Sequence, residues 1–235
     1  MMRALIVDDE LHARQELESL LGETGAFTVV GQCANAVEAI QAIRKERPDV
    51  LFLDIQMPAI SGFELLAMID DEELPAVVFV TAHDEFALRA FEEKALDYLL
   101  KPVARERLAK TIERLRKRPG ADVRRGLPRT EIRRIPCLAG RAIKLVDLPD
   151  VEFIRSNEAG VYVITAKAEL FTELTLKVLE ERAPLVRCHK QYLVNIDQVD
   201  QILIEEGLAV IRTKSGKDVP VSRRHLPSMR ERLDI

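Results

Sequence analysis

Cysteine is scarce in this sequence: Cys33, Cys137 and Cys188 are an odd number, and no two stand in a C-x-x-C spacing. A disulfide framework and a thiolate zinc site are therefore not expected, and the three residues read as reduced thiols. Cys188 lies beside His189, and positive charge lowers a thiol pKa. The ordinary reading of Cys188 is nevertheless a small and partly buried strand residue, with a redox role as the alternative. No apolar run approaches the roughly 18 residues that a membrane-spanning helix needs, so no span is expected. The chain passes from Met1-Met2-Arg3 through Ala4-Leu5-Ile6-Val7 directly into Asp8-Asp9-Glu10, which leaves no room for a secretory signal, and a cytoplasmic location is expected. Missing too are a G-x-x-x-x-G-K-S/T loop, a G-x-G-x-x-G loop and any His/Cys metal cluster, and after residue 118 no Ser near a plausible His base stands out. These absences argue against an enzyme in the second half. Aromatic residues are few there (Phe153, Tyr162, Phe171 and Tyr192), which leaves little surface for stacking single-stranded bases.

What is present reads as two domains. A chain of 235 residues, 47% apolar and 31% charged, is long enough to bury two cores. Charge divides unevenly: residues 1–118 carry 15 Lys+Arg against 22 Asp+Glu, and residues 119–235 carry 20 against 17, hence −7 and +3. An acidic first half does not bind phosphate backbones broadly, whereas a mildly basic second half can if its charges cluster.

In the first half, apolar runs of strand length at 3–7, 27–33, 50–53, 76–81 and 96–100 alternate with helical periodicity at 11–22, 36–46, 61–70, 85–94 and 104–117. Such alternation predicts an α/β doubly wound domain with a five-stranded parallel sheet over residues 1–118. The stretch PGADVRRGLPRT (119–130) has turn formers and little periodicity and reads as a linker. From 131 to 235 the segments become short and β-branched, at 132–136, 142–146, 151–155, 160–166, 199–204, 208–212 and 219–221, with helices expected only at 172–182 and 223–233. The second domain is expected to be mostly β.

Ligands of an open parallel sheet bind outside the carboxyl ends of its strands. Here those ends supply Asp8 and Asp9, Asp54, Thr81, and Lys101 before Pro102. Carboxylates brought together repel unless a cation sits among them, and an all-oxygen site favours a hard ion such as Mg²⁺. A metal beside a nucleophilic carboxylate and a lysine is the equipment of phosphoryl transfer. The expected roles are Asp54 as attacking group, Asp8 and Asp9 on the metal, and Lys101 and the Thr81 hydroxyl on phosphoryl oxygens. A cis Lys101–Pro102 peptide is expected to aim the ammonium into the crevice. Each piece alone has a plain structural explanation; their joint placement at strand ends is what carries the reading.

The segments VDDE (7–10), FLDIQMPAISG (52–62), VTA (80–82) and DYLLKP (97–102) resemble the receiver domain of response regulators over about residues 1–118. The resemblance implies that Asp54 takes a phosphoryl group from a histidine kinase and that the Gln56 backbone carbonyl is a further metal ligand. It also implies that Thr81 and Tyr98 form a switch. Leu11, followed by His12, stands where the family often has proline, which costs a helix-starting residue but no ligand. A rival class, the D-x-D hydrolases, needs a general acid at the position held here by Gln56, so a dedicated phosphatase is disfavoured.

In the second half, Arg187, Cys188, His189, Lys190 and Gln191 precede an apolar, strand-like run ending in Asn195, and Arg223, Arg224 and His225 stand at an expected helix start. Taken by chemistry alone these are ordinary polar clusters. However, 171–199 followed by VPVSRR (219–224) resembles the LytTR DNA-binding domain, most specifically in H-K-Q-Y-L-V-N. That resemblance, with the receiver, is to the LytR/AlgR response regulators. It implies double-stranded DNA with repeated half-sites as partner, read by loops carrying Asn157, Glu158, His189, Lys190, Arg223 and Arg224. It implies also a homodimer on phosphorylation, through the helical stretches 85–94 and 104–117. The different-class alternatives are an aspartyl-phosphate phosphatase with an accessory β domain and a receiver-controlled RNA- or protein-binding module.

Overall fold

Near-continuous apolar runs are satisfied by a parallel sheet covered on both faces, and the first half folds accordingly. Its strands are β1 (Met2–Val7), β2 (Phe27–Cys33), β3 (Val50–Leu53), β4 (Ala76–Thr81) and β5 (Asp97–Leu100). They form one parallel sheet in the order β2-β1-β3-β4-β5. The order reverses beside β1, so the strands diverge into a crevice there. The structure, a computed structural model, describes residues 1–83, 95–117, 131–140, 142–205 and 208–233. The chain divides into two compact units, Met1–Thr130 and Glu131–Ile235. The linker expected at 119–130 and the helix expected at 85–94 lie outside the described residues.

The helices of the first unit are α1 (Leu11–Glu23), α2 (Ala36–Glu46), α3 (Gly62–Ala67) and α4 (Arg105–Lys117). Helix α3 opens with a capping box, in which Ser61 Oγ accepts from the Glu64 amide and Glu64 returns a carboxylate to the Ser61 amide. It stops short of the expected residue 70. Asp70, Asp71, Glu72 and Glu73 would stand at the negative end of a longer helix, where the dipole disfavours them. Helix α4 docks on β5 by polar contacts. Arg107, Thr111 and Arg114 share one helix face at i, i+4 and i+7, and all three donate to the buried Asp97 carboxylate, at 2.8, 2.7 and 2.7 Å.

The second unit contains β6 (Arg134–Ala139), β7 (Ala142–Asp147), β8 (Val151–Asn157), β9 (Gly160–Thr165), β10 (Glu169–Thr172), α5 (Leu176–Arg182), β11 (Val186–His189), β12 (Tyr192–Val194), β13 (Val199–Glu205), β14 (Leu208–Thr213), β15 (Asp218–Val221) and α6 (Leu226–Arg232). A seven-stranded sheet, β11-β12-β8-β9-β10-β6-β7, and a three-stranded sheet, β13-β14-β15, enclose a core that includes Phe153, Ile164, Ile211 and Met229. The sheets are joined by polar groups as well. Glu152 of β8 is buried and accepts from the Ser215 amide, the Ser215 hydroxyl and Lys217 Nζ at 3.1, 2.8 and 2.8 Å. Asn195 donates to the carbonyls of Leu148 and Val151, a bracing role.

Two strands, β10 and β11, escaped the sequence reading as separate elements, while the strand-like run ending in Asn195 is β12. Each of the two is four residues long, too short to display an alternation of period two. Helix α5 begins four residues later than expected because the Thr172 hydroxyl bonds the Pro136 carbonyl in the sheet and Thr175 supplies the cap. Likewise α6 starts at Leu226, after a turn closed by Ser222 and His225. Among the described residues no helix is long and apolar enough to cross a membrane.

Candidate functional site

The acidic site assembles at the carboxyl ends of β1, β3, β4 and β5. Backbone bonds carry the strand pairing one step past the strands: the Asp8 amide donates to the Cys33 carbonyl and the Asp54 amide to the Val7 carbonyl, so both carboxylates issue from fixed backbone. The Gly62 amide donates to the Ile55 carbonyl at 2.8 Å, and a Cβ at Gly62 would collide with the Asp54 carbonyl oxygen. Glycine at 62 is thus what lets α3 close on the Asp54 loop.

Side-chain oxygens of Asp8, Asp9 and Asp54 lie within 4.8 Å of one another, with Asp8 and Asp54 buried and Asp9 exposed. The Lys101–Pro102 peptide is cis, and Lys101 Nζ stands 2.6 Å from Asp8 Oδ2 and 2.7 Å from Asp54 Oδ2. Burial pushes the Asp8 carboxyl up, against the pull of Lys101 and the Glu10 amide, and the net shift is upward. Burial also acts against the Lys101 ammonium, but Asp54 and Asp8 outweigh it and raise its pKa. Asp54, Gln56, Thr81 and Lys101 line an open cavity of about 620 Å³. The Thr81 hydroxyl is buried and has no hydrogen-bond partner among the described residues. The Tyr98 hydroxyl donates to the backbone carbonyl of His83, at the rim of the same cavity.

In the second unit the six residues expected to face DNA fall on three neighbouring segments. Asn157 and Glu158 form the β8–β9 turn, where Asn157 Oδ1 accepts from the Ala159 amide at 2.9 Å. His189 and Lys190 lie at the β11–β12 turn, and exposed Arg223 and Arg224 precede α6. Two backbone bonds draw the three together: the Ser156 amide donates to the Gln191 carbonyl and the Ser222 amide to the Cys188 carbonyl, each at 2.9 Å. The His225 ring is held by Ser222 Oγ at 2.7 Å, a Ser–His contact that the sequence did not single out, and burial together with Arg224 and Arg187 pulls the His225 pKa down.

Comparison with known proteins fits this arrangement. Residues 4–113 match the response regulator receiver domain, and residues 141–234 match the LytTr DNA-binding domain. A response regulatory protein of Vibrio cholerae is 51% identical over 234 residues, covering 99% of each chain. The chain belongs to the LytTR response regulators. A second relative, from Shewanella oneidensis, is 46% identical over 98% of both chains. The transcriptional regulatory protein BtsR of Escherichia coli is 48% identical over the full length of both, in line with the likeness to the BtsR (YehT) type that the whole sequence carries.

The regulator's acidic site is chemically suited to a divalent ion, since three carboxylates converge there and, among the described residues, the adjoining buried Thr81 hydroxyl has no partner. Residues that the sequence left without a role acquire one from the fold. Arg187 and His225, read before as part of polar clusters, are engaged inside the unit, through Glu180 and Ser222. Cys188 is fully buried and burial pushes its thiol up to about 12, so the environment opposes a reactive thiolate.

Proposed function

We propose that this regulator is switched by phosphorylation of Asp54 and acts in the cytoplasm on specific double-stranded DNA. The observation that carries the reading is the pairing of Lys101 across Asp8 and Asp54 beside the Thr81 hydroxyl, which has no partner among the described residues, at one cavity. An Asp54 oxygen attacks the phosphorus of a kinase phosphohistidine; the P–N bond breaks and the electron pair leaves with the imidazole. Asp8, Asp9, Asp54 and the Gln56 backbone carbonyl would hold Mg²⁺, which when bound offsets charge on the phosphoryl oxygens. Lys101 neutralises a further oxygen, and the Thr81 hydroxyl donates to the last.

Movement of Thr81 toward that oxygen is the switch, with Tyr98 following it. The phosphorylated chain pairs through 85–94 and 104–117, which presents two output units to repeated half-sites. Asn157, Glu158, His189, Lys190, Arg223 and Arg224 face the DNA, and the chain performs no chemistry beyond its own phosphorylation and slow dephosphorylation.

Labelling with acetyl phosphate and Mg²⁺ tests the acceptor. The wild type is expected to incorporate close to one phosphoryl group per chain and then stop, whereas Asp54→Asn incorporates none. Labelling of Asp54→Asn at the wild-type level would sink the assignment, and continuous release of phosphate over many turnovers would instead favour a phosphatase.

A further inference from the structure

The carbonyls of the β11–β12 turn are the joint into which the other two DNA-facing segments are tied. The Cys188 carbonyl accepts from the Ser222 amide, just before Arg223 and Arg224, and the Gln191 carbonyl accepts from the Ser156 amide, just before Asn157 and Glu158. Between them, the Lys190 carbonyl accepts from Arg187 Nη1 at 3.1 Å. Of these three ties, two are backbone to backbone and only the third runs through a side chain.

Arg187 has little freedom for anything else. Its side chain is only 19% exposed, and its Nε lies 2.9 Å from Glu180 Oε2 on α5, an oxygen that Nη2 also contacts. The Nε/Nη2 edge is one of the forks with which arginine grips a carboxylate or phosphate in bidentate fashion. Here it is turned inward onto Glu180. The remaining nitrogen reaches the carbonyl of the residue whose side chain is exposed at the turn.

We propose that Arg187 is a positioning residue for DNA recognition. It acts through the Lys190 carbonyl to fix the β11–β12 turn against α5, and it contacts no phosphate itself. The proposal rests on the reading that this turn faces DNA. Its physical basis is that a recognition group displaced by a fraction of its contact distance loses most of its interaction, so the loop must be held by its surroundings.

Phosphate contacts and positioning contacts differ in salt dependence. A lysine or arginine that neutralises one phosphate contributes about one unit to the slope of log affinity against log salt, and a positioning group contributes none. The experiment uses the full-length protein and two duplexes: one recovered by the wild type from a random-sequence DNA pool, and a scrambled version of it. Affinity is measured between about 50 and about 200 mM salt.

Arg187→Ala is expected to weaken binding to the recovered duplex about tenfold, the scale of one charge-assisted hydrogen bond. Its salt slope and its binding to the scrambled duplex are expected to stay at wild-type values. Glu180→Gln, which leaves the fold intact at an exposed carboxylate, should give a smaller loss of the same kind, and the double variant should be no worse than Arg187→Ala. A slope lowered by about one unit in Arg187→Ala, with equal weakening on both duplexes, would overturn the proposal and make Arg187 a phosphate contact. So would unchanged affinity for the recovered duplex, or additive losses in the double variant. Lys190→Ala separates this from the underlying reading: if it changes neither affinity nor slope, the turn does not face DNA and the proposal falls with that reading.

Discussion

Buried carboxylates occur in both units of this regulator, and Asp8 at the acidic site behaves in the opposite way to those elsewhere, Glu152 and Asp97. At the receiver site, Asp8 is buried with Lys101 and the Glu10 amide as its donors, and burial wins, raising its pKa. In the LytTR unit burial also works against Glu152, but Lys217 and Ser215 outweigh it and hold its carboxyl below the ordinary range. Asp97 sides with Glu152: Arg107, Thr111 and the Tyr98 amide overcome the cost of its burial. A carboxylate supplied with a full set of donors is part of the scaffold. One kept short of donors, among other carboxylates, is held for something that arrives from outside.

The largest effect that can break this contrast is expected from Glu152→Ala. It leaves Lys217 without its carboxylate in the joint between the two sheets and should cost about 3 kcal/mol, read by urea unfolding; a loss within error of zero would show that Glu152 is not scaffold. Asp97→Asn should cost somewhat less, about 2 kcal/mol, because Arg107 and Arg114 are partly solvated and recover hydration. Both costs depend on pH with a definite sign. A carboxyl whose native pKa is lowered contributes stability above its unfolded value and loses it as pH falls through the native one. The two variants and the wild type should therefore converge in stability below the ordinary carboxylate range, and a gap that persists there would point to packing instead of charge.

Asp8→Asn should act in the reverse direction. Its raised native pKa means that ionisation opposes folding as pH rises, so without Mg²⁺ the variant should be more stable at neutral pH, by about 1 kcal/mol. Millimolar Mg²⁺ should then raise the Tm of the wild type and not that of Asp8→Asn. A variant less stable than the wild type in metal-free buffer would remove the distinction between site and scaffold at this residue. The smallest effect concerns the thiols. Cys33, Cys137 and Cys188 are buried, and burial pushes each up to about 12. Alkylation at neutral pH should proceed only as fast as the chain opens, and a fast-reacting Cys188 in the native protein would revive a redox role.

How far each unit could be read from its residues follows the same divide. The receiver's strands are long apolar runs and its site residues stand where those strands end, so periodicity and position coincide at Asp8, Asp54, Thr81 and Lys101. The output unit offers no such coincidence. Its strands β10 and β11 are too short for periodicity to register, and its basic residues stand in turns whose spatial neighbours are distant in sequence. Arg187, His189 and Lys190 look alike as a run of polar letters; only packing turns Arg187 inward onto Glu180 while Lys190 remains exposed.

The sequence by itself determined the number of units, the doubly wound topology of the first and which residues stand at its strand ends, because these depend on local patterns and on where strands stop. Tertiary structure alone decided which polar groups are satisfied and which are not. It set Thr81 without a partner among the described residues, Glu152 with three donors, and the turn at His189 and Lys190 as the joint that ties the β8–β9 turn to the segment before α6. Hydrogen-bond satisfaction of a buried group depends on residues brought together from far along the chain, and no local pattern carries that information.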